Sequence, residues 1–435
     1  MGGEITWPVH ESPPGGHGYG LQTIWLFLQL VLVGGVSLRG VSRVMEILGS
    51  VLGLALPVPY WTTGRLWLLR LGHAMLTQRL EAAEDWAWLI DHSVQIGQEK
   101  CLVILGIRLC NLPPRGQPLR HEDLQLIGLM PASSWTRAEV DAALEKAVLR
   151  GGVPRVIVDD HGADLNGGVV LFQQRHSQTV EIYDAKHKAA CLLKHRLEKD
   201  PRWQEFHTRV GQTRCSVQQT ELAFLVPPGP KPKARFMNLG PLLAWAMHVL
   251  AILREPLPDV LRYVCPERLR EKLGWIESFA DDLVRWSQWQ QVVDVAVALV
   301  NQQGIYHGAA NLLATRFSQL DALGDSARQL AGELAEFVRC QEAKARPGER
   351  FPGSTEILES CFGKFKQLEK QQSRGGFTQL LLGFGAMLAQ KAKTTVQQAL
   401  ERSRTSDIRR WAEGTLGATL FSKRRRAFAS ATTTG

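Results

Sequence analysis

The sequence predicts an α/β fold: a mixed five-stranded sheet with helices on both faces, an all-helical insertion, and a small helical unit in front. Three observations carry this. Trp86 to Cys110, WAWLIDHSVQIGQEKCLVILGIRLC, reads as two strands with a turn at Gln95–Lys100. Trp86, Trp88 and Ile90 alternate with Ala87, Leu89 and Asp91, and the partner run Cys101–Leu109 is almost wholly apolar, the pattern of a buried strand. Strand and helix patterns then alternate to Leu197 in the order β-β-β-α-β-α-β-α, which builds a mixed sheet covered on both sides. From Pro201 to about Gly348 no strand pattern occurs.

In chain order, residues 1–19 are rich in Gly, Pro and His and read as loose. Leu21–Val33 and Ser37–Leu48 read as helices, with Ser37 as N-cap of the second and Leu38, Val41, Val44 and Met45 on one face. Thr62–Leu71 reads as a third, with Thr62 or Thr63 as cap and with Arg65 and Arg70 opposite Trp67, Leu68 and Leu71. Three short helices carrying Arg39, Arg43, Arg65, Arg70 and Arg79 fit a helix-turn-helix DNA-binding unit over residues 1–80; a plain helical bundle with solvated arginines fits them too. Leu124–Leu129 is a third strand and Thr136–Arg150 a helix with Val140, Ala143, Leu144 and Val148 on one side, after the Ser133–Ser134 cap region. Val153–Val158 is a fourth strand running into Asp159-Asp160-His161-Gly162. Asp164 is expected to cap a helix through about His176, Thr179–Tyr183 to form the fifth strand, and Ala185–Leu197 the next helix, with Asp184 at its cap position.

After the connector Pro227–Lys233, PPGPKPK, helical runs cover Leu239–Leu253, Pro266–Trp289, Val292–Val300, Ala309–Leu323 and Ser326–Ala343. The division expected is 1–80, 84–200, 201–348 as the insertion, 349–392 as the return to the sheet domain, and a basic tail over 393–435 that holds Lys423-Arg424-Arg425-Arg426.

The bulk numbers narrow the class. A chain of 435 residues buries a sizeable core. A formal charge of +9 and pI near 9.3 favour an acidic partner, of which nucleic acid is the commonest. The 7 cysteines are odd in number and scattered, with no CxxC, which argues for a reducing compartment and against a disulfide frame or zinc cluster. The apolar runs Ile24–Val33 and Ile47–Trp61 fall short of the roughly 20 residues that span a bilayer. No P-loop, HExxH or GxSxG occurs, leaving NTPase, zinc-protease and serine-hydrolase readings without support.

Phe351–Leu368, FPGSTEILESCFGKFKQL, reads as an amphipathic helix with Ser354 or Thr355 as cap. Ile357, Leu358, Cys361, Phe362, Phe365 and Leu368 form its apolar face; Glu356, Glu359, Gly363 and Lys366 form the other. Gly363 weakens the helix and so points to a close approach there. An ordinary surface helix with acid–base pairs has the same pattern.

Asp91 in a first strand, Asp160 after a fourth and Glu359 in a late helix together resemble the DDE transposases of bacterial insertion sequences. Asp160-His161-Gly162-Ala163-Asp164-Leu165 is similar to that family's Asp-Gly-x-x-Asp-Leu segment, Asp184-Ala185-Lys186-His187 to its Cys/Asp-x-x-His element, and Thr355-Glu356-Ile357-Leu358-Glu359-Ser360 to its Thr-Asn-x-x-Glu-Ser segment. Departures are Asp159 just before Asp160, the additional His161, and Glu356 where the family carries asparagine. The resemblance implies an RNase H-like catalytic domain, cleavage and strand transfer at the ends of a mobile element, and Asp91, Asp160 and Glu359 holding two Mg²⁺ ions, with Mn²⁺ as a substitute. It implies double-stranded DNA as partner (element ends and target) and a homodimer or higher oligomer on it. It further implies DNA contacts by Arg39, Arg43, Thr62, Thr63, Arg65 and Lys366, accessory roles for Asp159, Asp184 and His187, and a cytoplasmic, nucleoid-associated bacterial protein. Carboxylates suit such hard, oxygen-preferring ions. The insertion's Trp203, Trp245, Trp275, Trp286 and Trp289 offer stacking on a flipped base, though core packing accounts for each. A non-catalytic helix-turn-helix regulator is the rival reading; it has no need of three acids on this frame.

Overall fold

The computed structural model describes residues 13–96, 99–229, 236, 239–255, 263–320, 323–371, 376–389, 392–416, 423–424 and 427–430. Most of the Gly/Pro/His-rich start, Gly97–Gln98 of the expected turn, Pro230–Lys233 of the connector, and Arg425 and Arg426 of the tail lie outside the described residues. Two compact units result. One comprises residues 1–113, 119–181 and 355–435; the other, 114–118 and 182–354. The second unit therefore starts at Ile182, ahead of the expected Pro201, and takes the helix after the fifth strand with it.

The first unit holds the sheet. Strands β1 (Trp86–Ile96), β2 (Glu99–Arg108), β3 (Gln125–Ala132), β4 (Val156–Asp159) and β5 (Val180–Tyr183) lie in the order β3-β2-β1-β4-β5. β3, β2 and β1 are antiparallel, while β1 and β4 run parallel, so the sheet is mixed. Gln95 and Ile96 pair with Lys100 and Glu99, so the hairpin is tighter than expected and its strands absorb most of the presumed turn.

The alternation along β1 sorts the faces. Trp86, Trp88 and Ile90 pack with Ile157 and with Val140, Leu144, Leu165, Val169 and Phe172, residues of α4 (Arg137–Gly151) and α5 (Ala163–Arg175). A residue of this size fully buried contributes about 1.5–3 kcal/mol, so this face anchors the unit. α4 starts from a capping box, with Thr136 accepting from Glu139 N–H and the Glu139 carboxylate accepting from Thr136 N–H; the cap is Thr136, not Ser133 or Ser134. α5 starts after Gly162, and Asp164 lies inside its first turn and is not its cap.

The opposite face carries α3 (Trp61–Thr77), α13 (Glu356–Gln371) and α14 (Phe377–Met387): α13 and α14 contact β1, and α3 and α14 contact β3. α1 (Leu21–Leu32) and α2 (Leu38–Leu52) pack on α3, with Ser37 capping α2 through Gly40 N–H. Two expectations fail here. α3 is capped by Tyr60 without a side-chain bond, not by Thr62 or Thr63. The N-terminal helices are not a body of their own either, because α3 is buried along most of its length. Gly72 is required where α3 crosses α14: a Cβ there would collide with the Leu382 carbonyl.

The second unit is helical apart from the end of β5 and a short bridge between Ile305 and Phe351. It contains α6 (Ala185–Leu197), α7 (Pro201–Val217), α8 (Gly240–Arg254), α9 (Pro266–Leu273), α10 (Ala280–Gln303), α11 (Ala309–Ser318) and α12 (Asp325–Glu342). α7 was not anticipated; Asp200 caps it, with Pro201 at the first helical position. The expected helix Pro266–Trp289 is broken by a tight turn at Gly274–Phe279, and its second half continues through the expected Val292–Val300. Trp203, Phe206, Trp275, Phe279 and Trp286 form one aromatic cluster. Trp245, Trp275, Trp286 and Trp289 each donate an indole N–H to a protein oxygen. These tryptophans serve the core of the unit. No described helix is long and apolar enough to cross a membrane.

Candidate active site

Asp91 lies in β1, and Asp160 directly follows β4, the strand parallel to it. Ala87, Trp88 and Leu89 pair with Val156, Ile157 and Val158. Asp91 lies two residues past Leu89, and Asp160 two past Val158 and one past the end of β4. Alternation gives Asp91 the face of Leu89, away from α4 and α5. α13, which carries Glu359, packs against β1 on that face. Asp159 has the parity of Ile157 and points with the opposite face. The ends of strands are where functional groups of open α/β sheets gather.

Asp91 is 5% exposed, whereas Asp160 and Glu359 are half-buried. The pairing of β1 with β2 shifts by one residue between Asp91 and Val94, a bulge of the kind that re-aims side chains. Just beyond it, His92 Nε2 lies 2.7 Å from Asp164 Oδ2 on α5. Burial works against the Asp164 charge, but the His92 charge and hydrogen bond win and hold its carboxyl below the usual range. Beyond β4 the two aspartates shape the turn: Asp159 Oδ1 accepts from His161 N–H at 2.7 Å and Asp160 Oδ1 from Gly162 N–H at 2.9 Å. His161, with φ of 62°, is the one non-glycine residue in the left-handed region among the described residues. The residue that interrupts the motif is thus the residue that turns the chain.

On α13, Leu358, Cys361, Phe362, Phe365 and Leu368 are buried, as the periodicity predicts. Gly363 and Lys366 are exposed, and a Cβ on Gly363 would meet nothing within 4 Å, so the close approach expected there is absent among the described residues. His121 sits against this helix, Nδ1 3.1 Å from Cys361 Sγ and Nε2 3.2 Å from Ser360 Oγ. No local pattern marks His121 or His92, since each meets a partner distant in the chain.

Of the remaining expected residues, Arg39, Arg43 and Thr62 are exposed and Thr63 is half-buried. Arg39 lies 4.9 Å over the Trp61 ring. Arg65, expected to contact DNA, donates to Gln379 Oε1, and Arg70 donates to the Leu400 and Ser403 carbonyls. In the second unit, Asp184 caps α6 by accepting from Lys186 N–H and His187 N–H, and His187 Nδ1 lies 3.6 Å from Asp184 Oδ2. Among the described residues no three His, Cys, Asp or Glu side chains gather closely enough to hold one metal ion.

The fold is that of an α/β protein with a mixed sheet, Asp91 inside its central strand, Asp160 just past the strand parallel to it, and a helical unit between β5 and α13. No family model matches the chain, and no curated protein sequence matches it. Among solved structures the chain is similar to the Drosophila P element transposase strand transfer complex, at 12% identity and a TM-score of 0.40, over 90% of this chain and 94% of that one.

Proposed function

We propose that the protein is a DNA transposase of the DDE type, with an RNase H-like catalytic domain, cleaving and joining strands at the ends of a mobile element. What supports this reading is the parallel pairing of β1 and β4, with Asp91 in one strand and Asp160 directly after the other, and with α13, which carries Glu359, packed against β1. The donor set fits divalent magnesium: Asp91, Asp160 and Glu359 offer only carboxylate oxygens, which hard cations prefer. Bound there, the ions supply activation of the attacking oxygen and charge relief for the leaving one.

The chain's own groups do the rest. Asp91, nearly sealed from water, sits at the bulge and next to His92, which is tied to Asp164 on α5. Lys366, exposed on the same helix as Glu359, offers its charge to a phosphate. Arg39 and Arg43 on the outer side of α2 extend the basic surface for duplex DNA, in place of the occupied Arg65. Asp184 caps α6, accepting from the backbone N–H groups of Lys186 and His187.

The test is cleavage of duplex DNA bearing the element ends, with and without Mg²⁺. Asp91→Asn, Asp160→Asn and Glu359→Gln should each abolish nicking while leaving DNA binding and circular dichroism intact. Wild-type binding without any metal-dependent nick would instead favour a non-catalytic DNA-binding regulator.

A further inference from the structure

Charge is unevenly spread along the chain. Residues 393–435 hold 9 Lys and Arg against 3 Asp and Glu, a net +6 out of the +9 of the whole chain. Between residues 393 and 416 this stretch is not a loose tail. It forms α15 (Lys393–Arg402) and α16 (Thr405–Leu416), and both pack on α3.

Buried side chains hold the two helices there. His73 is 7% exposed and Ser403 1%, with His73 Nδ1 2.8 Å from Ser403 Oγ. Burial pushes the His73 pKa down, so the ring makes this contact uncharged at neutral pH. Arg70 donates to the Leu400 and Ser403 carbonyls, groups that the end of α15 leaves open. Ile408 and Trp411 of α16 join Leu69 and Leu76 of α3 and Leu382 of α14 in one apolar cluster.

Charge accounting separates the arginines that hold this clasp from those that do not. A helix C-terminus carries roughly half a negative charge, and Arg70 already meets that of α15. The N-terminus of α16 is served by Asp407, which accepts from Arg404 N–H at 2.8 Å and lies 3.7 Å from Arg410. Glu401 accepts from Gln397 at 2.9 Å, and Glu413 is exposed. Arg402, Arg404 and Arg409 are exposed too, and among the described residues no carboxylate pairs with their guanidiniums. Planar guanidiniums suit phosphate oxygens. A surface that is ordered before its partner arrives loses less entropy on binding.

We infer that the end of α15 and the start of α16, clasped to α3, form a docking surface for duplex DNA in which Arg402, Arg404 and Arg409 meet backbone phosphates. The choice of partner rests on the transposase reading; the geometry of the surface does not.

The test is fluorescence anisotropy of a short labelled duplex with the full-length protein, metal omitted, across a KCl series. Glutamine at Arg402, Arg404 and Arg409 together should weaken binding several-fold. It should lower the slope of log K against log salt by about two to three, since each lost phosphate contact removes about 0.9. Arg409→Gln alone should lower it by about one and guards against a misfolded triple variant. Lysine at all three positions should keep most of the slope. An unchanged slope in folded variants overturns the inference, as does wild-type protein that binds no duplex. Glutamine at Arg316, Arg328 and Arg339, exposed in the helical unit, should change the slope less; an equal loss there means bulk charge and overturns the surface. So does binding to phosphatidylserine vesicles that needs the three arginines while duplex binding does not. A slope that depends on them in a protein that never nicks DNA supports the surface and refutes the catalytic reading. Metal-dependent nicking with an unchanged slope does the reverse.

Discussion

His92 Nε2 and Asp164 Oδ2 stand 2.7 Å apart, tying the strand that carries Asp91 to the first turn of α5. The folded Asp164 pKa is depressed, so the pair contributes stability above the unfolded carboxyl pKa near 3.9. That contribution is lost as pH falls through the lower, folded value. His92→Ala should destabilise the protein at pH 6 by under about 1 kcal/mol, because Asp164 is partly exposed. The gap between urea melts of the two proteins should narrow as pH falls below the unfolded carboxyl value; a gap that does not narrow at all would mean His92 acts by packing.

Sheet parity separates the adjacent aspartates. Asp160→Asn should abolish nicking. Asp159→Asn should instead lower the melting temperature through its bond to His161 N–H and keep measurable activity. An inactive, folded Asp159→Asn protein beside an active Asp160→Asn protein would move the second acid by one position.

Two glutamates on α13 divide likewise. Both lie in its first turn, where a carboxylate gains roughly a few tenths to one kcal/mol from the helix dipole. Glu356→Gln should cost about that much and leave cleavage; Glu359→Gln should stop cleavage at unchanged far-ultraviolet dichroism. Cleavage by both variants would remove Glu359 from the site.

Two glycines predict opposite outcomes. Gly363→Ala has open space and a helical position, so it should stabilise by about 0.5–1 kcal/mol. Gly72→Ala must push α3 off the Leu382 carbonyl and should cost several kcal/mol or prevent folding, as overpacking of a core does. Thermal melts of the two proteins decide it.

Thiol labelling reads the core directly. Cys101 and Cys361 are buried, with burial raising each thiol pKa to about 12. Cys110, Cys191, Cys215, Cys265 and Cys340 are exposed. At pH 8 a thiol reagent should modify these five in the folded protein and the remaining two only after denaturation.

Much of this fold was legible because local patterns wrote it. The Trp86–Ile90 alternation, the Ser37 cap and the apolar stripe of α13 each follow from a few neighbouring residues. Misreadings came where partners are remote. Arg65 and Arg70 look solvent-facing on a helical wheel, yet their acceptors lie more than 300 residues on. Asp164 has the chemistry of a cap, but the chain turned earlier, at His161. The acids of the site were legible as residue types; the pairing of the strands beside them was not, since strand pairing is settled across the chain.

The Ala185 amide donates to the Gly353 carbonyl at 3.0 Å, closing the base of the long helical excursion within the second unit. An excursion closed at its base asks little of the chain that hosts it, because closure entropy grows only with the logarithm of loop length. The excursion is therefore free to lengthen, shrink or be exchanged for another cargo while its closed base stays the same.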